Sequence, residues 1–150
     1  MTSEEVTDLL KKAYSDEIET VMNYLTNSIV LDGVSAEEVK ESLETDIQEE
    51  LNHAEMLGQR LKQLDERPPA SYDFEARQES LQPPEDTTDV LSVINGVLDA
   101  EEDAIETYRS LIKAAGDDDP VTEDIAVTIL SDEEAHRTEF RGFKREYDDD

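Results

Sequence analysis

Residues 49–57 have the sequence EELNHAEML, in which Glu50 and His53 are three residues apart. Side chains three or four residues apart lie on the same face of an α-helix, so this spacing puts a carboxylate and an imidazole on consecutive turns. A buried carboxylate is costly unless a cation or hydrogen bonds compensate it. The rest of this face is apolar, which predicts that it points into a core, and it carries Leu43, Ile47, Ala54 and Leu57.

The segment belongs to one of several stretches with apolar residues at helical spacing. Four helices are predicted, at about residues 3–31, 35–66, 87–115 and 120–145. The connection between the second and third helices, residues 67–86, contains four of the five prolines and is the only long one. Short, long and short connections predict an all-α four-helix bundle with one long crossover between helices two and three. We expect a single domain over residues 1–150.

Capping signals and apolar faces define the predicted helices in more detail. Three helix starts carry a capping pattern, namely Thr2 with Glu5, Ser35 with Glu38, and Asp119 before Pro120. The first helix is predicted to direct inward Val6, Leu9, Leu10, Ala13, Val21 and Leu25. The second helix is predicted to direct inward Leu43, Ile47, Ala54, Leu57, Leu61 and Leu64.

The composition excludes several classes of function. Asp and Glu number 41 against 13 Lys and Arg, giving a net charge of −28 that repels nucleic acid and anionic lipid. This acidity is similar to that of proteins from salt-accumulating organisms. No apolar run approaches the roughly 18 residues of a membrane span, and the start MTSEEVTDLL lacks the pattern of a signal peptide, so a cytoplasmic location is expected. The absence of cysteine excludes thiolate metal sites and iron–sulfur clusters.

Polar residues on the inward faces follow an internal repeat. Each predicted helix places one glutamate among apolar residues, and these are Glu17, Glu50, Glu101 and Glu133. The Glu50-x-x-His53 pattern recurs in the second half of the chain as Glu133-x-x-His136. Glu17 is followed by Tyr24 seven residues on, and this pair recurs in the second half as Glu101 with Tyr108. The two pairs are displaced along the chain by almost the same number of residues as the two Glu-x-x-His patterns. Helical periodicity alone does not explain a repeat of polar residues.

Four neighbouring buried carboxylates require cations, and two divalent metal ions would cancel their charge. Carboxylate and imidazole ligands without thiolate suit iron(II), manganese or zinc. The sequence therefore predicts a two-metal centre with six ligands, Glu17, Glu50, His53, Glu101, Glu133 and His136. The neighbouring Glu49, Glu55, Glu102 and Glu134 are predicted to project to the surface from other faces.

With these ligands the chain resembles the ferritin superfamily, in particular bacterioferritins and Dps-like proteins with a di-iron centre inside each subunit. The stretches AEEDAIETY (100–108) and DPVTEDIAVTILSDEEAH (119–136) carry the likeness to the Dps-like group. The resemblance implies that Glu17 and His53 hold one metal and that Glu101 and His136 hold the other. It further implies bridging roles for Glu50 and Glu133, and hydrogen bonds from Tyr24 and Tyr108 that orient the carboxylates.

The resemblance implies a ferroxidase that oxidises Fe(II) with O₂ or hydrogen peroxide, for iron storage, detoxification and protection from oxidative stress. Two iron ions per subunit are expected, with manganese or zinc as alternatives. Haem is not expected, since Leu51 stands where bacterioferritins have the haem-binding methionine, and Met56 is expected to serve packing. The acidic termini do not resemble the lysine-rich tails with which Dps proteins coat DNA.

Assembly and two other functions remain open at this point. A homo-oligomer is expected, and the absence of a fifth helical segment after residue 145 favours a dodecameric cage over a 24-mer. One alternative is a non-storage di-metal oxidoreductase or peroxidase that uses the same ligands without a cage. Another is a structural bundle that binds zinc or no metal.

Overall fold

The computed structural model describes residues 3–147. These residues form four α-helices and no strand, and a short 3₁₀ helix, Val34–Ala36, precedes the second. The bounds are α1, Glu4–Val30; α2, Glu37–Gln63; α3, Val90–Ala115; and α4, Pro120–Arg145. The predicted all-α four-helix bundle is confirmed, with its one long crossover at residues 64–89. Helix α1 packs against α2 and α3, and α4 packs against α3 and α2.

The capping residues of α1 and α2 differ from those predicted. Ser3 caps α1, since its hydroxyl accepts a hydrogen bond from the Val6 N–H at 3.1 Å; Thr2 lies outside the described residues. The predicted capping box at Ser35 is wrong, because α2 is preceded by Ala36, which makes no side-chain cap. Ala36 is fully buried, so packing of the 3₁₀ turn into the core sets the start of this helix instead.

The start of α3 also differs from the prediction, whereas that of α4 agrees with it. The carboxylate of Asp89 accepts the N–H of Ser92, so α3 begins at Val90 and not at residue 87. The Asp119 carboxylate accepts the N–H of Thr122 at 3.1 Å, with Pro120 at the first helical position, as predicted.

Two apolar clusters fill the bundle, one towards each end. The first includes Leu31, Leu43, Ile94 and Phe140, and the second includes Leu10, Leu57, Leu61, Leu111 and Ile129. Along every helix the predicted metal ligands lie between these clusters, which therefore seal the centre from both ends. The prediction for Leu25 is wrong, because 49% of it is exposed on the outer face of α1 with Met22 and Ile29.

The crossover is fixed to both α1 and α3. On α1, the buried Glu19 carboxylate accepts the backbone N–H groups of Arg77 and Gln78 at 2.8–3.0 Å. On α3, a Cβ atom at Gly96 would lie 2.3 Å from the Ser80 carbonyl oxygen, so only glycine permits this approach. The crossover thus lies along the side of the bundle where α1 and α3 meet. Among the helices of residues 3–147, none has the length and apolar character needed to cross a bilayer.

Candidate dinuclear metal centre

All six predicted ligands meet in one polar layer between the two apolar clusters. Each is buried, with at most 6% of its surface exposed: Glu17, Glu50, His53, Glu101, Glu133 and His136. Their ligand atoms form two groups, and the atoms within each group lie within 4.8 Å of one another. One group contains Glu17 and His53, the other Glu101 and His136, and both contain Glu50 and Glu133. Glu50 and Glu133 thus occupy the shared positions that bridging ligands need.

Both imidazole rings direct Nδ1 into this layer. His53 Nδ1 lies 3.1 Å from an oxygen of Glu133, 3.5 Å from Glu17 and 3.9 Å from Glu50. His136 Nδ1 lies 3.3 Å from Glu50 and 3.8 Å from Glu101. Each ring therefore faces carboxylates from other helices, as neighbouring ligands of a metal ion would.

Every predicted ligand has one buried polar atom without a hydrogen-bond partner in the described part of the chain. These atoms are Glu17 Oε2, Glu50 Oε1, His53 Nδ1, Glu101 Oε2, Glu133 Oε1 and His136 Nδ1. Buried polar groups are nearly always partnered, and leaving one unpaired costs about 1–3 kcal/mol, or more if it is charged. Metal cations would satisfy all six atoms at once, so the residues present fit a two-metal centre.

Two buried tyrosines connect α1 and α3 within the centre. Tyr24 donates a hydrogen bond to Glu101 Oε1 at 2.8 Å, and Tyr108 donates one to Glu17 Oε1 at 2.7 Å. In each glutamate this leaves Oε2 as the unpartnered oxygen. The tyrosines therefore fix the orientation of both carboxylates and leave one oxygen of each free for a metal.

The protonation of the centre reflects its burial and its excess of carboxylates. Burial, followed by the charge of Glu50, raises the pKa of both Glu17 and Glu133 well above the ordinary value. Although burial disfavours the imidazolium, the carboxylates of Glu17 and Glu50 raise the pKa of His53 to about 11. Glu101 and Glu50 likewise raise that of His136 to about 12 against the effect of burial. Without metal, protons on these groups compensate the buried negative charge.

A comparison with known families is consistent with this arrangement. Residues 7–147 match the model of the ferritin-like domain family, which spans nearly the whole chain and all six predicted ligands. The chain belongs to the ferritin family. The resemblance to the ferritin superfamily inferred from the sequence is thereby confirmed. A search among curated protein sequences finds no match to this ferritin-like chain.

Solved structures of ferritin-like proteins have the same fold at low sequence identity. A bacterioferritin-related protein of Bacteroides fragilis, described as a dodecameric thioferritin, has a TM-score of 0.79 and 23% identity, covering 95% of this chain and 85% of its own. A ferritin-like diiron-carboxylate protein of Bacillus anthracis has a TM-score of 0.80 and 21% identity, covering 93% and 97%. The bacterioferritin of Desulfovibrio desulfuricans has a TM-score of 0.78 and 24% identity, covering 91% and 76%.

Two acidic residues of this ferritin-like chain that the sequence analysis missed contact the outer nitrogens of the histidines. His53 Nε2 lies 2.9 Å from Asp132 on α4, and His136 Nε2 lies 3.0 Å from Glu49 on α2. Glu49 is partly exposed, as predicted, but it also contacts His136, which the prediction did not include, whereas Glu55 and Glu102 are exposed as predicted. Glu134 is half-buried and pairs with Arg109 at 3.3 Å.

A signal for these two residues was present in the repeat. Glu49 and Asp132 hold equivalent positions in it, since each directly precedes a predicted bridging glutamate. In a chain with 41 acidic residues, however, two adjacent acidic residues do not stand out.

Asp46 breaks the repeat, because the equivalent position in the second half is occupied by Ile129. Asp46 is buried 3.5 Å from His136 Nε2, and burial raises its pKa to about 7.

Asp132→Asn is expected to weaken Co(II) binding by about 10–100-fold, as losses of carboxylates that orient ligating histidines generally do. The amide oxygen of asparagine carries no negative charge and therefore accepts the Nε2–H of His53 more weakly than the carboxylate does. The imidazole ring of His53 then loses orientation and basicity. Titration followed by the visible absorbance of bound Co(II) measures the affinity. Asp124→Asn, an exposed change on the same helix, is the matched control. Equal affinities in the two variants would contradict a positioning role for Asp132.

Proposed function

We propose that this chain is a ferroxidase that binds two Fe(II) ions per subunit between its four helices and oxidises them to Fe(III) with O₂ or hydrogen peroxide. The observation that carries the proposal is the set of six unpartnered buried atoms on the predicted ligands. Their residues fall into two ligand groups that share Glu50 and Glu133. The pairing of Glu17 with His53, and of Glu101 with His136, then gives each iron one terminal carboxylate and one imidazole.

The ligand chemistry supports iron as the substrate. Carboxylate oxygens and imidazole nitrogens suit Fe(II), and two divalent cations neutralise four carboxylates. Manganese and zinc fit the same ligands, but zinc has no redox chemistry. Two Fe(II) ions supply two electrons, which with two protons reduce one O₂ to hydrogen peroxide or one hydrogen peroxide to two waters. Holding both ions in one centre delivers the electron pair without releasing a radical.

The chain's own residues prepare this centre before metal arrives. The tyrosine hydrogen bonds hold Glu17 and Glu101, and the contacts of Asp132 and Glu49 hold the two imidazole rings. Apolar clusters exclude bulk water from both ends of the centre, which strengthens the electrostatic interactions inside. Protons displaced from the centre when metal binds are available for reduction of the oxidant.

We also propose that the chain forms a homo-oligomer, with a dodecameric cage that stores or detoxifies iron as its assembled form. The exposed stripe of Met22, Leu25 and Ile29 on α1 offers an apolar contact face for other copies. The Bacteroides fragilis protein of the same fold is described as a dodecamer.

The proposal includes no haem. Leu51 on α2 is 40% exposed, and its side chain has no thioether sulfur that could bind a haem.

Aerobic addition of Fe(II) to the metal-free protein tests this function. We expect Fe(III) absorbance to rise faster than in buffer alone, with the fast phase ending at about two irons per chain. Size-exclusion chromatography with metal analysis reports whether the iron resides in a large assembly. Oxidation no faster than in buffer would remove the ferroxidase proposal. An active small oligomer would instead indicate a di-metal oxidoreductase without a cage.

A further inference from the structure

A cavity of about 380 Å³ opens between α1 and α3 and leads to the metal centre. Its floor is formed by four predicted ligands, Glu17, Glu50, Glu101 and Glu133. On the α3 side its wall includes Ala100 and Ala104, whose side chains are too small to fill the gap between the helices. The cavity therefore gives the centre a direct route to the outer side of the α1–α3 pair.

Three charged side chains cross the mouth of this cavity, and we call Lys12, Asp16 and Arg77 the mouth cluster. Lys12 Nζ donates to one oxygen of Asp16 at 2.9 Å and to the hydroxyl of Thr107, on α3, also at 2.9 Å. Arg77 donates to the other oxygen of Asp16 at 3.0 Å. Lys12 thus spans the gap between the two helices, and both oxygens of Asp16 are occupied by cationic groups.

The placement of these cations is informative because the chain has so few. Only 13 residues are Lys or Arg against 41 Asp and Glu, yet two of the 13 line the entrance to a centre built for cations. The position of Arg77 is also held, since the buried Glu19 carboxylate binds its backbone N–H. Asp103 and Glu106 complete the α3 side of the cavity, so freeing Asp16 would leave an entrance of carboxylates.

We propose that the mouth cluster is a gate for divalent cations. In the closed state the side chains of Lys12 and Arg77 donate hydrogen bonds to the Asp16 carboxylate. An entering Fe(II) ion binds this carboxylate when the two side chains move away. This inference rests on the proposed function, because it concerns the route to the same centre. Lys12 opposes entry both by its position across the gap and by its charge.

The gate predicts opposite effects for its members. Lys12→Ala and Arg77→Ala each remove a competitor for Asp16, so both are expected to speed metal entry several-fold. Asp16→Asn removes the entry carboxylate and leaves two unpaired cations at the mouth, so it is expected to slow entry several-fold. A cluster that only ties α1 to the crossover would loosen in all three variants, and entry would then change in one direction only.

Stopped-flow mixing of anaerobic metal-free protein with Co(II), followed by visible absorbance, measures entry, and equilibrium titration measures stoichiometry. Lys11→Ala and Arg67→Ala are matched controls, since each removes the same charge at a residue outside this cavity. Lys11 pairs with Glu66 at 3.1 Å and does not contact Asp16. Thermal melting of each variant verifies folding. We expect unchanged stoichiometry in all five variants, and altered rates only in the mouth-cluster variants.

Two results would overturn the gate without affecting the proposed function. One is two Co(II) bound per chain with equal entry rates for Lys12→Ala and Lys11→Ala. The other is faster entry in Asp16→Asn, which would show that the cluster acts only as a mechanical tie. Failure of the wild-type protein to bind a pair of Co(II) ions would instead overturn the proposed function itself, and the gate with it.

Discussion

Replacing Glu133 by glutamine is expected to abolish the binding of paired metal ions and to slow Fe(II) oxidation by more than about 100-fold, beyond the usual loss from a residue that only orients a ligand. Glu133 belongs to both ligand groups, so its loss affects both metals at once. An amide offers one neutral oxygen in place of a charged bidentate acceptor and cannot bridge two divalent ions. Glu50→Gln is expected to have the same effect, because Glu50 is the other shared residue.

Glu133→Gln is expected to fold as the wild-type protein does, so a loss of metal would report on the centre itself. Burial and the charges of Glu50 and Glu101 raise the pKa of Glu133, which favours the neutral carboxyl in the metal-free protein. Glutamine has nearly the same shape as that neutral carboxyl, so the metal-free variant should melt near the wild-type temperature. Glu55→Gln, exposed on α2, is the control and should retain two metals per chain. Equal metal content in the two variants would show that the bridging assignment is wrong.

Removal of metal is expected to lower the melting temperature at neutral pH and to reverse its dependence on pH. Saturating metal stabilises a folded protein by about 2.7 kcal/mol when its free concentration is 100 times the dissociation constant. Metal binding requires a deprotonated ring nitrogen on each histidine, so the metal-loaded protein should gain stability as pH rises through the neutral range. The metal-free protein should lose stability over the same range.

The opposite sign for the metal-free protein follows from the pKa values of its histidines. These are raised from 6.5 to about 11 for His53 and about 12 for His136. The stabilisation from this difference is fully present below about pH 6.5, the value in the unfolded chain, and is lost as pH rises through the folded values. Between these limits each histidine lowers the free energy of unfolding by up to about 1.4 kcal/mol per pH unit. The raised pKa values of Glu17 and Glu133 act with the same sign, since the folded protein holds protons that the unfolded chain has lost.

Thermal melting of chelator-treated and Co(II)-loaded protein between about pH 7 and pH 9 measures both slopes. Glu133→Gln serves as the reference, since its melting temperature should not respond to added Co(II). A metal-free wild-type protein that is as stable as the loaded form would contradict stabilisation by metal at this centre, and one whose melting temperature rises with pH would contradict the binding of protons by the buried, metal-free centre.

The sequence alone determined which helices form and which six residues point inward. Helical spacing places Glu50 and His53 on the apolar face that also carries Leu43 and Leu57, and the internal repeat assigns the same arrangement to Glu133 and His136. The long proline-rich crossover then allows the two helical pairs to pack against each other. Local periodicity and the lengths of the connections are sufficient for these conclusions, because both can be read along the chain without knowing which helices touch.

Only the tertiary structure decided which side chains of different helices touch. Helical spacing treats Glu49 and Glu55 alike as outward residues, yet the packing of α2 beside α4 brings Glu49 to His136 and leaves Glu55 exposed. In the same way Leu25 fits the inward pattern of α1 but lies outside the part of its surface that α2 and α3 cover.

The mouth cluster is a further example, because Lys12 contacts Thr107, 95 residues away, and Arg77 reaches Asp16 from the crossover. Such contacts depend on the rotation of each helix about its axis and on the path of the crossover, and both are set by packing of the whole core. Periodicity along one helix fixes which residues share a face, but only the assembled bundle determines what that face meets.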